Sequence, residues 1–241
     1  AHDFKSVHAG GDYTCAVATD GKVACWGADD AGQLGNGDPL TADGLPDYVN
    51  LATMTEGQKV RTITTGQAHA CLINDKGIVY CWGNNSDRQL GAASSAGNHP
   101  EPIRLSTVDI TGNKSFLSVA AGSSHTCGVN TQGAPFCWGS DVDGQLGNGS
   151  TIGTQNQAHL VNVSAIASER TFVAIVAGSK HSCAIAGDRA TFCWGADDTG
   201  QLGDNTVLAA STNPVAVDTS TTDSFGGWID LTARGTHSCG I

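Results

Sequence analysis

Apolar and polar residues alternate in five short segments of the chain, each beginning 56 positions after the one before. In every segment the first and fourth positions are apolar, and alternation with a period of two is typical of a half-buried β-strand. The pattern therefore predicts one strand repeated five times. The segments are FKSVHAG at residue 4, VRTITTG at 60, FLSVAAG at 116, FVAIVAG at 172 and WIDLTAR at 228.

A β-hairpin is predicted after each of the first four segments. Two short apolar stretches flank a turn, and the second stretch always ends in Cys-Trp-Gly. In the first three hairpins the third turn position is a glycine, such as Gly21, which supplies the left-handed conformation that closes a three-residue loop. The fourth hairpin has Gly187, Asp188 and Arg189 there, which predicts a different turn. The hairpins are CAVATDGKVACWG (15–27), CLINDKGIVYCWG (71–83), CGVNTQGAPFCWG (127–139) and CAIAGDRATFCWG (183–195).

A polar stretch follows each hairpin, begins with Gly-Gln-Leu-Gly or Arg-Gln-Leu-Gly, and contains one further short strand. Proline at or near these strands suits the edge of a sheet. Four short strands per unit are typical of a β-propeller blade, whereas the competing solenoid usually has shorter repeats, often with a helical period that this chain lacks. The predicted fourth strands lie near 46–50, 102–106, 159–163 and 214–218.

The predicted fold class is all-β, and the architecture is a β-propeller or part of one, in a single domain over residues 1–241. Its four-stranded blades correspond to four full repeats of 56 residues and a partial fifth. The repeats are 4–59, 60–115, 116–171, 172–227 and 228–241.

Composition supports this fold and excludes two classes of function. The chain has 32 glycines, one methionine and only 15% charged residues, which suits short strands and tight turns. A net charge of −11 with only 12 lysines and arginines argues against a nucleic-acid partner. No apolar run approaches the roughly 20 residues of a membrane-spanning helix, so no membrane insertion is expected.

All nine cysteines fall on the 56-residue grid. If the hairpin loop has three residues, the two cysteines of each hairpin lie directly opposite each other, with Cα atoms roughly 4.5–5.5 Å apart and within reach of a disulfide. Free buried thiols and zinc are the alternatives, although structural zinc sites usually have closer ligand spacings. The predicted disulfides are Cys15–Cys25, Cys71–Cys81, Cys127–Cys137 and Cys183–Cys193.

Cys239 is the remaining cysteine, and its partner on the grid would stand beyond Ile241. We therefore expect it to be unpaired within this chain. Because disulfides persist in oxidising compartments, the predicted location is secreted or extracellular, with the periplasm or the cell surface as possible settings.

The succession of Gly-x-x-His-[Ser/Thr]-Cys, Cys-Trp-Gly and Gly-Gln-Leu-Gly resembles the regulator of chromosome condensation repeat, most closely its Cys-containing versions in exported bacterial proteins. This resemblance implies a β-propeller, commonly of seven blades, so that about three blades would lie outside this chain. The sequence departs from the pattern at Tyr13, Arg88, 187–189 and Arg234. The matching stretches are 10–35, 66–91, 122–147 and 178–203.

Two sets of aligned side chains are expected to be structural. His69, His125, His181 and His237 share one repeat position but would lie in different blades, so they are better explained by local hydrogen bonding than by a metal. The four tryptophans of Cys-Trp-Gly are expected to pack between blades. No metal site is predicted, although alternating carboxylates beside glycine make calcium an alternative in three acidic loops. The candidate ligands are Asp29, Asp30, Asp141, Asp143, Asp197 and Asp198.

No motif of a hydrolase nucleophile, a phosphate-binding loop, a dinucleotide site or a zinc protease occurs, so we expect neither an enzyme nor a cofactor. The predicted function is a non-catalytic binding or assembly module whose partner is another protein. Alternatives are a secreted enzyme inhibitor similar to the propeller-type β-lactamase inhibitor, a filament or surface-layer subunit that self-associates through its C-terminal edge, and a guanine-nucleotide exchange factor. The partner is expected to bind the variable segments at one face: 36–59, 92–115, 148–171 and 204–227.

Overall fold

The computed structural model describes residues 3–38, 42–92, 96–164, 166, 170–207, 209–220 and 227–241, and every helix or strand assigned within them is a β-strand. Parts of the four variable segments lie outside the described residues.

Four antiparallel four-stranded sheets and one two-stranded sheet follow one another along the chain, and each sheet is one propeller blade. The fold is therefore the predicted all-β propeller of four full repeats and a partial fifth. The strands, blade by blade, are β1 (Phe4–Ala9), β2 (Tyr13–Ala18), β3 (Val23–Gly27) and β4 (Asp43–Tyr48); β5 (Val60–Thr65), β6 (His69–Asn74), β7 (Val79–Gly83) and β8 (His99–Arg104); β9 (Phe116–Ala121), β10 (His125–Asn130), β11 (Pro135–Ser140) and β12 (Thr154–Leu160); β13 (Phe172–Ala177), β14 (His181–Ala186), β15 (Thr191–Gly195) and β16 (Ser211–Ala216); β17 (Leu231–Arg234) and β18 (His237–Gly240).

The fourth strand of each blade begins about three residues earlier than the sequence predicts. In the first blade, Pro46 lies inside β4 rather than at its start. This is tolerated because β4 pairs only with β3, so the missing N–H of Pro46 costs no second ladder. The pairing is also irregular, since the partner of Cys25 is Asp47 but the partner of Gly27 is Asp43.

The turn of the fourth hairpin is the same as the others, so the prediction of a different turn is wrong. Arg189 has φ of 69° and takes the left-handed position that Gly21 holds with φ of 89°. The amide of Arg189 donates to the Ala186 carbonyl, as the amide of Gly21 donates to Ala18. An arginine can adopt this conformation at a cost of about 1–2 kcal/mol, which the surrounding hairpin must offset.

The first strands of all five blades line one polar channel of about 500 Å³. Arg234, at the end of β17, donates a hydrogen bond from its guanidinium to the carbonyl of Ala9, at the end of β1. The side chain that departs from the glycine pattern therefore links the last blade to the first across the channel.

The hydrophobic core lies between blades rather than in one central mass. One cluster contains Val17 and Leu34 of the first blade together with Ile63 and Trp82 of the second. The inner faces of consecutive sheets thus bury each other, so that each junction is a nearly independent core.

The loops divide into two faces because the strands of each blade are antiparallel and connected in order. The first and third loops of a blade lie at one end, and the second loop and the connection to the next blade lie at the other. Each variable segment runs through the fourth strand from one end to the other, as 36–59 does through β4. The expectation that the variable segments all lie at one face is therefore wrong.

Candidate functional site: blade junctions and an acidic face

Four disulfides close the hairpins, each between directly opposed residues of the second and third strands. Their Cα–Cα distances are 4.0–4.1 Å, and all eight cysteines are buried. Their sulfurs are bonded to each other and so are not zinc ligands. Cys239 is free and exposed. The bonded pairs are Cys15–Cys25, Cys71–Cys81, Cys127–Cys137 and Cys183–Cys193.

Each repeat histidine joins its blade to the next one through a hydroxyl. His125 Nε2 lies 2.9 Å from Ser182 Oγ, and Ser182 Oγ in turn donates to the Gln145 carbonyl at 3.0 Å. The hydroxyl proton is committed to the carbonyl, so the histidine donates from Nε2. His69 and Thr126 form the same contact at 2.9 Å. These histidines are structural groups of the blade junction.

Burial lowers the pKa of the junction histidines, because an imidazolium loses hydration inside the protein. The pKa of His69 and that of His125 fall to about 3, and that of His181 falls to about 4. These side chains are therefore neutral near pH 7, and their low basicity reflects burial in the junction.

The first blade solves the same problem with a different pair of residues. Tyr13 stands where the other full blades have histidine, and its hydroxyl donates to the His69 carbonyl at 2.5 Å. The second blade has Ala70 at the position where the third has Thr126. The longer phenol thus reaches backbone in the blade that offers no hydroxyl.

The tryptophan of each later full blade donates to the preceding blade, at the carbonyl of its Gln-Leu-Gly glutamine. The distances from the indole Nε1 to the carbonyl are 3.0 Å from Trp82 to Gln33, 2.9 Å from Trp138 to Gln89 and 2.9 Å from Trp194 to Gln145. All three indoles are fully buried. They are the largest side chains of the junctions, as expected for blade packing.

The acidic loops are organised by backbone hydrogen bonds. Oδ1 of Asp29 accepts from the amide of Leu34 at 2.8 Å, and Oδ1 of Asp141 accepts from Leu146 at 3.1 Å. Burial raises the pKa of both carboxyls. Asp197 makes the same contact with Leu202 at 3.0 Å.

The other three calcium candidates are also engaged locally. Asp30 and Asp198 each accept from the side-chain amide of the Gln-Leu-Gly glutamine at 2.8 Å, and Asp143 forms an ion pair with Lys180 at 3.4 Å. Within the described ranges, no three histidine, cysteine or acidic residues gather into a group that would hold a metal. The six aspartates lie in three separate loops and shape turns.

Sequence analysis assigned no role to the glutamine of Gln-Leu-Gly, although its recurrence in all four units was the available signal. Gln33 contributes three groups: its Oε1 accepts from the amide of Ala31 at 2.8 Å, its Nε2 donates to Asp30, and its carbonyl accepts from Trp82. The glutamine therefore couples the fold of the acidic loop to the next blade.

The charges of the connecting segments are divided unequally between the two ends of the blades. We call the loops that connect the first strand to the second and the third strand to the fourth the acidic face; these loops are 10–12, 28–42, 66–68, 84–98, 122–124, 141–153, 178–180, 196–210 and 235–236. Its described basic residues are Arg88 and Lys180. The acidic ones are Asp12, Asp29, Asp30, Asp38, Asp87, Asp141, Asp143, Asp197, Asp198 and Asp204.

The opposite end, which we call the mixed face, has nearly balanced charge among its described residues. It consists of the hairpin turns and the connections between blades. Its acidic residues are Asp20, Glu56, Asp75, Asp109, Asp188, Asp218 and Asp230, and its basic residues are Lys22, Lys59, Lys76, Lys114, Arg170 and Arg189. The acidic excess of the loops thus lies at one end of the propeller.

Comparison with known proteins follows this geometry. The model of the regulator of chromosome condensation (RCC1) repeat matches residues 20–73, 76–129 and 132–185. The ultraviolet-B receptor UVR8 of Arabidopsis thaliana is 29% identical over 202 residues, which are 83% of this chain and 43% of that protein. The human E3 ubiquitin-protein ligase HERC2 is 28% identical over 203 residues, only 4% of its length. The chain therefore spans less than half of these relatives.

Solved structures show the same fold. Human WBSCR16 superposes with a TM-score of 0.86 at 20% identity over 99% of this chain and 57% of its own. Yeast RCC1 (Prp20), solved bound to Kap60, superposes with a TM-score of 0.80 at 20% identity over 100% of this chain and 54% of its own.

Two observations bear on the setting of the protein. Four disulfides are expected in a non-cytosolic environment. Among the described residues there is no helix of the length and apolarity needed to cross a bilayer. The family matches cover most of the chain in the phase of its repeats, and the chain belongs to the regulator of chromosome condensation (RCC1) repeat family.

Proposed function

We propose that this chain is a non-catalytic, extracellular protein-binding module that binds a basic partner surface with its acidic face. The observation that carries the proposal is the charge division: ten acidic and two basic residues at one end, against seven and six at the other, among the described residues. A surface of one sign attracts a partner of the opposite sign and increases the rate of association.

The geometry of the acidic face supports this role. Asp29, Asp141 and Asp197 are buried and hold their loops in shape, whereas Asp30 and Asp198 are exposed. The exposed carboxylates are therefore presented by loops that are anchored to the blades. A charged surface on a rigid scaffold loses little conformational entropy on binding.

The fold is used for protein binding in relatives. The Prp20 structure contains bound Kap60, and a second Prp20p structure is described with its binding properties to Gsp1p and histones. An inhibitor of a secreted enzyme and a self-assembling subunit are two forms of the same proposed function. Size measurement at several concentrations separates them, because only the subunit would assemble.

A pair of matched variants tests the proposal. Asp30→Asn, Asp38→Asn and Asp198→Asn together remove three charges from the acidic face, and Asp20→Asn, Asp75→Asn and Asp188→Asn remove three from the mixed face. Binding is measured against a panel of folded proteins of graded isoelectric point, at low and high salt. We expect the basic proteins to bind, and salt and the acidic-face variant to weaken that binding several-fold.

The mixed-face variant is the control for net charge and should bind like the unmodified protein. Equal loss in the two triple variants, or binding that ignores both, would contradict an acidic binding face. Circular dichroism of both variants checks that the fold is kept.

A further inference from the structure

An open groove of about 200 Å³ runs along the unfinished side of the last blade. Residues 199–203 of the fourth blade form one wall, and β18 forms the other. Leu202, Val217 and Trp228 contribute apolar surface. The groove stands at the repeat position that is occupied, in the three complete junctions, by the tryptophan of the following blade.

The complete junctions show what such a groove accommodates. The final glycine of Gln-Leu-Gly is buried against the next indole: a Cβ added to Gly35 would lie 2.5 Å from Trp82 Nε1, and one added to Gly91 or Gly147 would lie 2.7 Å from the corresponding ring. The carbonyl two residues earlier accepts the indole N–H. Glycine and carbonyl together therefore form an indole socket.

The fourth copy of this socket is accessible to solvent. Gly203 is exposed, whereas Gly35, Gly91 and Gly147 are buried. A Cβ added to Gly203 would meet only a side-chain carbon of Val217, at 3.4 Å. Its left-handed φ of 64° matches the 65° of Gly147, so the backbone of the socket already has the shape found in the complete junctions.

The backbone beside the socket is suited to pair with a strand. In each full blade the second strand pairs on both sides, whereas β18 pairs with β17 alone among the described residues. Cys239 lies opposite Thr232 in β17, in the register in which Cys71 lies opposite Thr64. A strand added to β18 would extend this sheet by the same hydrogen-bond ladder.

We propose that this groove is a docking site for a tryptophan-bearing β-strand of a partner protein, which pairs with β18 and inserts its indole against Gly203 and the Gln201 carbonyl. The inference rests on the proposed function as a protein-binding module, but it concerns a surface separate from the loops of the acidic face that carry the charge proposal. The site continues the blade-to-blade interface that this chain builds three times.

The occupant is identified by the chemistry of those three interfaces. An indole matches the apolar walls and brings the N–H that the carbonyl accepts in each complete junction. A cysteine just before the tryptophan would lie opposite Cys239, as Cys25 lies opposite Cys15. The preferred ligand is thus an extended segment that contains Cys-Trp-Gly.

A synthetic peptide with the sequence of residues 190–203, ATFCWGADDTGQLG, is the probe. Its cysteine is activated as a mixed disulfide with thionitrobenzoate, so that attack by the Cys239 thiolate forms the new disulfide and releases the coloured thiol. We expect the unmodified chain to react at least about tenfold faster with this peptide than with the same peptide carrying alanine for tryptophan, because aromatic anchors dominate such interfaces.

Gly203→Asn should remove this preference, because asparagine tolerates the left-handed conformation but places its side chain where the indole would lie. Gly153→Asn is the matched control, since Gly153 has φ of 68° and no atom within 4 Å of an added Cβ. Reaction rates that ignore the tryptophan, or Gly203→Asn that behaves like Gly153→Asn, would overturn the site and leave Cys239 as an accessible thiol only.

Two further measurements separate the alternatives. If a second copy of the chain occupies the groove instead, the unmodified protein forms concentration-dependent oligomers that Gly203→Asn abolishes, and the partner assignment is overturned. Binding of basic proteins to the acidic face should be unchanged in Gly203→Asn, so failure of the groove and failure of the charge-based function are told apart.

Discussion

The junction between the third and fourth blades and the one between the fourth and fifth use the same residues in different surroundings. In the first, His125 contacts a fully buried Ser182, and Gly147 is covered by Trp194. In the second, His181 contacts the partly exposed Ser238 at 2.8 Å, and Gly203 faces solvent. The repeated sequence therefore stabilises a junction fully only where a complete blade follows, as expected when stability is a sum over neighbouring repeats.

The largest effect should come from removing a fully covered indole. Trp138 is buried and packs edge to face on Phe116 at 6.4 Å, whereas Trp26 is partly exposed because no described blade precedes it. Trp138→Ala should cost about 3–5 kcal/mol of unfolding free energy, and Trp26→Ala clearly less. Denaturant unfolding measures both. Equal losses would show that neighbouring blades do not set the stability.

The disulfides should come next. Replacing both Cys127 and Cys137 by alanine should cost about 2–3 kcal/mol, mainly because the unfolded chain regains freedom. Cys239→Ala removes an exposed, unpaired thiol and should leave stability unchanged. Thermal or denaturant unfolding without reductant compares the two. A loss in Cys239→Ala as large as in the double variant would contradict the assigned pairing.

A pH series separates the buried histidines from the exposed one. Burial lowers the pKa of His125 to about 3, whereas the unfolded chain takes up this proton near 6.5. The stability linked to His125 is therefore fully present above pH 6.5 and is lost as the pH falls from 6.5 towards 3. Between pH 6.5 and 5 the unmodified chain should lose about 2 kcal/mol more than His125→Gln, which cannot titrate.

The control for this series is His237→Gln, because His237 is exposed in the last blade. Its unfolding free energy should follow the same pH dependence as the unmodified chain. The raised pKa values of Asp29 and Asp141 contribute equally to all three proteins and cancel in the comparison. If His125→Gln loses as much stability as the unmodified chain, the junction histidine is not the titrating group.

The smallest effect concerns the hairpin turns. Arg189 pays for a left-handed backbone that glycine adopts freely, so Arg189→Gly should raise the unfolding free energy by up to about 1 kcal/mol. Gly21→Ala at the equivalent turn should lower it by about 1 kcal/mol, since the added Cβ has room, at 3.6 Å from Lys59, and only strain is introduced. Opposite signs are expected in denaturant midpoints. Destabilisation by Arg189→Gly would show that the arginine side chain contributes more than the strain costs.

Much of the fold follows from the periodic pattern, and the exceptions have identifiable causes. The 56-residue grid predicts the blades because each must present the same apolar faces to its neighbours. Alternation did not locate the start of the fourth strand, because that strand is an irregular edge with few buried positions. The substitution at Arg189 hid the common turn, since one residue in an unfavourable conformation is tolerated when a disulfide and two ladders fix the hairpin.

The candidate site was less accessible from the sequence. The acidic residues are visible along the chain, but only the antiparallel order of the strands assigns ten of them to one end of the blades. The pairing of Tyr13 with a blade that has Ala70 could not be recognised either, because the two positions are compared only when neighbouring blades meet.

The sequence by itself determined the repeat, the hairpins and the cysteines that lie opposite each other, because these depend on local periodicity and on register within one hairpin. The tertiary structure alone decided which copies of a repeated residue are covered. Trp194 and Gly147 are buried against each other, while Gly203 stands open to solvent, although the chain presents the same Gln-Leu-Gly both times. Burial is a property of two blades in contact, so no single copy of the repeat can specify it.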